Sequence, residues 1–238
     1  MGDDIMVEKE MLKKNIEDVI NRIEKACIRS GRNPSEISLL GATKGVDVET
    51  IKLANQFGLK IFGENRVQEF LPKFQYLPYL EWHFIGRLQT NKIKYIFDKV
   101  SLIHSIDSPQ QIDELEKRCA KAGKACNVLI EINIGGEESK GGVSIEKVDD
   151  LIEKISNCSH VILKGFMTIP PIEDDDKKLR WYFRRMKEIF EKYKKLNYNS
   201  VKIEVLSMGM SNDFEVAIEE GATLVRIGTK IFGERPKK

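Results

Sequence analysis

The chain has 238 residues, of which 41% are hydrophobic and 32% charged, and its formal net charge of +2 gives no strong field for nucleic acid or an anionic membrane. The sequence shows neither a signal-peptide pattern nor an apolar run of about 18 residues, and its four cysteines form no CxxC pair. We therefore expect a cytoplasmic protein that binds neither nucleic acid nor membrane and holds no metal.

Predicted strands and helices alternate along the chain. An amphipathic helix at 7–29 comes first, with Gly31 as its stop. Short apolar runs then predict eight strands, at 37–42, 59–63, 82–85, 102–105, 128–132, 162–167, 203–206 and 223–227. Helices are predicted between them at 48–57, at 67–74, from Thr90, from the capping box that begins at Ser108, at 145–156, at 175–195 and around Glu215.

Eight strand-helix units demand a parallel sheet with helices outside it. The pattern predicts one α/β domain over residues 1–238, a single (β/α)8 TIM barrel with an additional N-terminal helix, residues 1–31, packed on it. An open doubly wound sheet is the alternative. Against it, the sequence contains neither GxGxxG nor GxxxxGK[ST], the two nucleotide-binding patterns of such sheets.

Lys44 directly follows the first predicted strand. The carboxyl ends of barrel strands carry the functional residues, and a period of two places Lys44 on the inward face with Ala42 and Leu40. Burial at a barrel mouth favours the neutral amine, which is the form that attacks an aldehyde. A surface lysine in a lysine-rich chain is the alternative interpretation.

The loops after strands seven and eight predict a phosphate site. Barrels often hold phosphate between these two loops, through backbone N–H groups and a helix amino terminus. The first loop supplies Ser207, Gly209, Met210 and Ser211 ahead of a helix with Glu215 at capping distance, and the second supplies Gly228 and Thr229. Two ordinary glycine turns are the alternative.

Arg226 precedes Gly228 by two residues and should share its inward direction. A charged arginine on the barrel wall needs an acceptor, and a cofactor ring nitrogen or Glu204 could serve. An arginine beside a pyridine nitrogen would discourage its protonation. The isolated His83 and His104 lie in apolar strands and predict no metal site, and we expect His83 to be a hydrogen-bonded core residue.

Motifs spread over essentially the whole chain resemble the pyridoxal phosphate homeostasis protein family. They include Ala42-Thr43-Lys44, Phe62-Gly63-Glu64-Asn65, Trp82-His83-Phe84-Ile85-Gly86, Leu88-Gln89-Thr90-Asn91-Lys92, Ser139-Lys140-Gly141-Gly142, Gly165-Phe166-Met167-Thr168-Ile169-Pro170, Ser207-Met208-Gly209-Met210-Ser211 and Val225-Arg226-Ile227-Gly228-Thr229. The resemblance implies a fold like the barrel domain of alanine racemase, with pyridoxal 5′-phosphate (PLP) held as a Schiff base on Lys44. It also implies that Asn65 lines the ring, that Arg226 faces the ring nitrogen, and that the phosphate is surrounded by Ser207, Gly209, Met210, Ser211, Gly228 and Thr229.

The same resemblance implies a role in PLP homeostasis, in which a monomer or weak dimer holds the cofactor and releases it to PLP-dependent apoenzymes. Racemases of this fold take a second acid or base from an additional domain and a partner subunit. The sequence ends soon after strand eight, so we expect no such group and no robust catalytic activity. A slow PLP-dependent racemase is the main alternative, and a sugar-phosphate barrel enzyme with a Schiff-base lysine is a weaker one.

Overall fold

The eight apolar runs form eight parallel strands that close into a barrel, each paired with its neighbours in chain order and the last with the first. The computed structural model describes residues 2–137, 140–196 and 198–234, and Ser139 of the motifs above lies outside them. The strands are β1 (Ser38–Ala42), β2 (Ile61–Glu64), β3 (Glu81–Phe84), β4 (Leu102–Ile106), β5 (Cys126–Glu131), β6 (Val161–Met167), β7 (Val201–Ser207) and β8 (Leu224–Ile227). Their bounds differ from the predicted ones by at most two residues, and the predicted barrel is confirmed.

Helices surround the strands. They are α1 (Gly2–Ser30), α2 (Val48–Gln56), α3 (Val67–Tyr76), α4 (Pro109–Ala122), α5 (Val148–Ser156), α6 (Asp176–Tyr193), α7 (Phe214–Glu219) and α8 (Thr229–Phe232). The predicted capping box at Ser108 is confirmed at the start of α4. No helix among the described residues is long and apolar enough to cross a membrane.

The helix expected from Thr90 has a different geometry from the others. The segment Thr90–Tyr95 is a 3-10 helix rather than an α-helix. Ile93 and Ile96 are both fully buried, and the N–H of Ile96 donates to the carbonyl of Ile93 at 3.0 Å. A spacing of three residues matches one turn of a 3-10 helix, so this geometry buries both side chains on one face.

Helix α1 packs on the outside of the barrel against α2, α7 and α8. Its apolar stripe is buried, and ion pairs at its edge join it to α7. Glu215, which the sequence suggested as a cap for α7, instead accepts hydrogen bonds from Arg22 at 2.8 Å and Arg29 at 2.9 Å. The capping expectation for Glu215 is therefore wrong, because two arginines of α1 reach its carboxylate.

A buried ion pair fixes the end of β1 from the outside of the barrel. Glu64 at the end of β2 is fully buried and pairs with Lys73 of α3. Lys73 also donates to the carbonyl of Thr43 at 2.8 Å, and the Thr43 hydroxyl donates to Glu64 at 2.9 Å. The backbone immediately before Lys44 is thus held by two charged side chains.

Replacing one partner of this pair should destabilise the fold strongly. Lys73→Met leaves the Glu64 carboxylate buried without its cation, and we expect unfolding to become easier by about 3–5 kcal/mol. Urea unfolding monitored by circular dichroism measures the change. Lys52→Met, which breaks a surface pair with Glu49 at 3.8 Å, is the control and should cost less than about 1 kcal/mol. Equal losses in the two variants would contradict the account.

Candidate functional site

A cavity of about 480 Å³ opens at the carboxyl end of the barrel, beside β1, β7 and β8. Its volume lies in the range of about 300–1,000 Å³ that is typical of small-molecule sites. Its wall contains five of the residues predicted to bind a cofactor, namely Met210, Ser211, Arg226, Gly228 and Thr229. The structure therefore brings together residues from two loops that are 15 or more positions apart in sequence.

Lys44 directly follows β1, at the end of the barrel where this cavity opens, but its side chain is not part of the cavity wall. It is half-buried, and Ala42, two residues before it on β1, forms part of the cavity wall. A side chain larger than alanine at position 42 would fill the space beside the lysine. The binding of a cofactor by Lys44 stays a prediction.

Two hydrogen bonds join the loop after β7 to β8 and α8. The N–H of Arg226 donates to the carbonyl of Gly209 at 3.0 Å, and the N–H of Lys230 points to the Ser211 hydroxyl at 3.5 Å. Gly209 has a φ of +94°, and a Cβ there would lie 2.6 Å from that of Ala217, so only glycine fits this turn. This packing sets the shape of the first loop.

Backbone donors in these loops remain open to a ligand. Within the described part of the chain, no intrachain acceptor meets the N–H groups of Ser211, Asn212, Gly228 or Thr229. Helices α7 and α8 have six and four residues, so the loop amides rather than a long helix dipole would bind an anion. The donors expected for a phosphate are present.

Acidic side chains also line the cavity. They are Glu173, Asp174, Asp176 and Asp213. Burial raises the pKa of the Asp213 carboxyl, and the hydrogen bond from the Met210 N–H and the charge of Arg226 oppose that rise. Asp174 and Asp176 are exposed, where solvent screens their charges, and the half-buried Glu173 pairs with Lys178 at 2.5 Å.

Asn65 follows β2 at the same end of the barrel. Its Oδ1 is the buried side-chain polar atom without a hydrogen-bond partner among the described residues. A buried amide oxygen that lacks a partner costs about 1–3 kcal/mol, which a ligand donor can offset. The neighbouring Gly86 lies so close that a Cβ there would be 2.1 Å from the Asn65 carbonyl oxygen, so the backbone around Asn65 is tightly fixed.

Arg226 is buried at the base of the cavity and is bonded on two sides. Its Nη1 donates to the Ser207 hydroxyl at 2.6 Å, and its Nη2 donates to the carbonyl of Thr168 at 3.0 Å. Glu204, the alternative acceptor considered from the sequence, pairs instead with Lys164 at 2.9 Å. Burial lowers the pKa of Arg226 to about 10, and the charges of Glu131 and Asp213 oppose that change, so the guanidinium is charged at neutral pH.

Ser207 lies apart from the other predicted phosphate residues. Its side chain is fully buried, and it bonds Arg226 and His104 below the cavity instead of facing it. The sequence analysis expected Ser207 at the phosphate, but Ser207 is the last residue of β7 and does not line the cavity. The structure thus joins Ser207 to the base of the site rather than to its loops.

Glu131 is a residue of this region that the sequence reasoning missed. It ends β5, is 8% exposed, and burial raises the pKa of its carboxyl to about 7. The nearby Asp107 carboxylate adds to this rise, while Arg226 and Arg87 oppose it. A glutamate that ends an otherwise apolar strand was the available signal, since strand ends carry functional residues in a barrel.

The raised pKa of Glu131 predicts a pH-dependent stability. The folded protein prefers the protonated carboxyl, so this stabilisation is complete below the ordinary pKa of 4.5 and is lost as pH rises through about 7. The difference corresponds to a loss on the order of 3 kcal/mol. Glu131→Gln, which keeps the shape without the charge, should therefore gain stability relative to wild type between pH 5 and pH 8.

Urea unfolding of the cofactor-free protein at constant ionic strength measures this gain. Glu204→Gln, at an exposed position, is the matched control and should show no such trend. Wild type and Glu131→Gln curves that stay parallel from pH 5 to pH 8 would show that Glu131 titrates normally.

Comparisons with known proteins agree with this geometry. Residues 41–236 match the family described as alanine racemase, N-terminal domain. A pyridoxal phosphate homeostasis protein of Aquifex aeolicus is 52% identical over 219 residues, which cover 91% of this chain and 95% of the relative.

Two solved structures share the fold over nearly their whole length. A protein of unknown function from Bifidobacterium adolescentis has a TM-score of 0.91 at 31% identity, covering 95% of this chain and 96% of that one. PipY of Synechococcus elongatus, solved with PLP bound, has a TM-score of 0.77 at 27% identity, covering 89% and 100%. The chain belongs to the pyridoxal phosphate homeostasis protein family, whose barrel is that of the alanine racemase N-terminal domain.

Proposed function

We propose that this chain binds PLP as a Schiff base on Lys44 and works in PLP homeostasis, by holding the cofactor and releasing it to PLP-dependent apoenzymes. The observation that carries the proposal is the cavity, which has a buried arginine at its base, open backbone amides in its wall, and Ala42 in its wall two residues before the half-buried Lys44. PipY, a structural neighbour, binds PLP, and the Aquifex relative is named for PLP homeostasis.

The residues of the cavity fit the parts of PLP. The amides of Ser211, Gly228 and Thr229 would receive the phosphate, together with the backbone at Gly209 and Met210. Asn65 would face the ring, and its unpaired Oδ1 would accept a hydrogen bond from the cofactor side. The Arg226 guanidinium would donate to the ring nitrogen. Ser207 would act through Arg226 rather than on the phosphate.

The covalent step requires a neutral amine on Lys44. The neutral Lys44 amine would hold the aldehyde carbon of PLP through a C=N bond, with the aldehyde oxygen and the two amine hydrogens released as water. The bond is reversible, because water can restore the aldehyde and the amine. When bound, PLP supplies a conjugated ring that can stabilise negative charge on an attached amino acid. Arg226 weakens that capacity, because a charged donor at the ring nitrogen discourages its protonation, and this favours carriage over catalysis.

We further propose that residues 1–238 act as one cofactor-binding domain in the cytoplasm, as a monomer or weak dimer. The four cysteines are free, and three of them are buried, which suits a reducing compartment.

Loss of the Lys44 amine should abolish covalent cofactor binding. Wild-type protein incubated with PLP and passed through a desalting column should keep a yellow absorption band, and Lys44→Ala should keep none. Lys60→Ala, which removes an exposed lysine away from the cavity, should keep the wild-type band. Circular dichroism spectra of all three should coincide, because Lys44 contributes little to packing. A yellow Lys44→Ala variant would overturn the assignment.

A slow amino-acid racemase is the second candidate, and Glu131 favours it. With a pKa of about 7 and 8% exposure at the carboxyl end of β5, this carboxyl could exchange a proton at neutral pH. A carrier should transfer PLP to an apoenzyme, whereas a racemase should interconvert amino-acid enantiomers. Both properties can be measured with the same PLP-loaded protein.

PLP-loaded protein should activate an apoenzyme of the PLP-dependent class even when a phosphatase destroys free PLP. Free PLP at the same concentration should activate much less under that trap. The same loaded protein, given L-alanine or D-alanine alone, should leave the enantiomer unchanged. Rapid racemization without cofactor transfer would favour the enzyme, and activation equal to that by free PLP would argue against protected delivery.

A further inference from the structure

A chain of buried polar side chains crosses the inside of the barrel. The Nε2 atom of His83 lies 3.2 Å from a Glu81 oxygen, and His83 Nδ1 lies 3.0 Å from His104 Nε2. His104 Nδ1 lies 3.0 Å from the Ser207 hydroxyl, which accepts from Arg226. Strands β4 and β7 are separated by β5 and β6, so His104 and Ser207 can meet only in the interior. The chain therefore runs from the amino end of β3 to the base of the cavity.

The hydrogen bonds of this chain have one consistent direction. Arg226 can only donate, so Ser207 accepts from it and uses its own hydrogen for His104 Nδ1. His104 must then carry its proton on Nε2 and donate it to His83 Nδ1. His83 in turn carries its proton on Nε2 and donates it to the Glu81 carboxylate. Every polar atom of the chain has a partner in this arrangement, and a cation and an anion stand at its two ends.

The charge states of the groups agree with this direction. Burial holds the pKa of His104 well below its usual range, and the nearby His83 and Arg226 add to the effect, so His104 is neutral. The hydrogen bond from His83 lowers the pKa of Glu81, so the carboxylate accepts. Glu81 is half-exposed at the far end of the barrel, where water can solvate its charge.

Apolar packing alone does not explain these side chains. The surrounding interior is filled by Leu102, Leu129 and Met167, which need no polar partners. Two buried imidazoles among them are costly unless each nitrogen is bonded. The two buried imidazoles have a consequence at the Arg226 end of the hydrogen-bonded chain. They orient the Ser207 hydroxyl so that its oxygen accepts from the buried guanidinium.

We propose that His104, His83 and Glu81 are positioning residues for the cofactor site, acting on Arg226 through Ser207. By accepting the Ser207 hydrogen, His104 obliges the serine oxygen to accept from Arg226. The guanidinium is then held between Ser207 and the Thr168 carbonyl, and its remaining N–H groups are available to the cavity. This inference rests on the proposed binding of PLP beside Arg226.

Two substitutions at His104 test the proposal. His104→Leu removes the acceptor for Ser207, so the serine hydrogen can turn toward Arg226 and displace the guanidinium. Loss of one hydrogen bond to a charged group corresponds to a factor of roughly 10 to 100. PLP should therefore dissociate at least about tenfold faster, and the absorption and emission bands of the bound cofactor should change. His104→Asn keeps an acceptor near the Nδ1 position and should restore both properties toward wild type.

Leu129→Ala is the matched control, because it truncates a buried apolar side chain and removes no hydrogen-bonding group. Its bound-PLP spectrum and dissociation rate should stay within about twofold of wild type. Thermal unfolding of each variant confirms that it is folded. If His104→Leu does not fold, His83→Phe applies the same test one position further along the chain, and it should give a smaller change in the same direction.

The proposal is overturned if the folded histidine variant has the wild-type spectrum and dissociation rate, or if Leu129→Ala changes them equally. In either case wild-type protein would still carry PLP on Lys44, so the proposed function would stand. If wild-type protein itself retains no PLP, the proposed function fails first. A changed spectrum in His104→Leu that His104→Asn repairs supports the positioning role.

Discussion

The buried charge of Arg226 is the constraint around which the interior of this barrel is built. A guanidinium that is 4% exposed must donate hydrogen bonds to acceptors around it, or burial costs several kcal/mol of lost solvation. The barrel offers it neutral acceptors at Ser207 and Thr168, with Glu131 and Asp213 near enough for their charges to favour the cation. A charged donor is thereby kept at the base of a cavity without a carboxylate partner in direct contact. The Arg226 guanidinium is therefore suited to donating a hydrogen bond to an acceptor on a ligand.

The end of β1, which carries Lys44, is held by side chains that lie outside the barrel. On the inner side, Ala42, two residues before Lys44, is a small residue in the cavity wall. The position of Lys44 is set by Thr43, which points outward to the Glu64 and Lys73 pair. The barrel wall thus separates two polar systems, one inside that holds the arginine and one outside that holds the lysine. Both reach the same end of the strands, where a ligand with an aldehyde and a ring nitrogen could contact each.

Most of the fold could be predicted because the barrel repeats a local pattern. Short apolar strands and amphipathic helices are visible within windows of ten to twenty residues, and Lys44 and Arg226 could be placed on inward faces by counting in twos. The depth of a residue could not be predicted this way. Ser207 was expected at the phosphate but bonds Arg226 and His104 below the cavity, because the stagger of strands around a barrel sets depth and is not local.

Interactions between residues that are far apart in the sequence could not be predicted either. His83 was expected to be a hydrogen-bonded core residue, and this is confirmed, but its partner His104 lies on another strand and the next partner lies across the barrel. Besides burial, the unusual pKa of Glu131 depends on Asp107, Arg87 and Arg226, of which the first two lie in the loops after β4 and β3 and the third lies in β8. Glu215 has helix-capping spacing, yet it is held by two arginines nearly 200 residues earlier in the chain. Each of these depends on closure of the barrel.

The most direct test of the account is to locate the bound cofactor chemically. Protein loaded with PLP is reduced with borohydride, digested, and its peptides are analysed by mass spectrometry. The account predicts one modified peptide, with the reduced cofactor on the Lys44 amine. Modification at another lysine, or an unmodified Lys44 peptide from yellow protein, would contradict it.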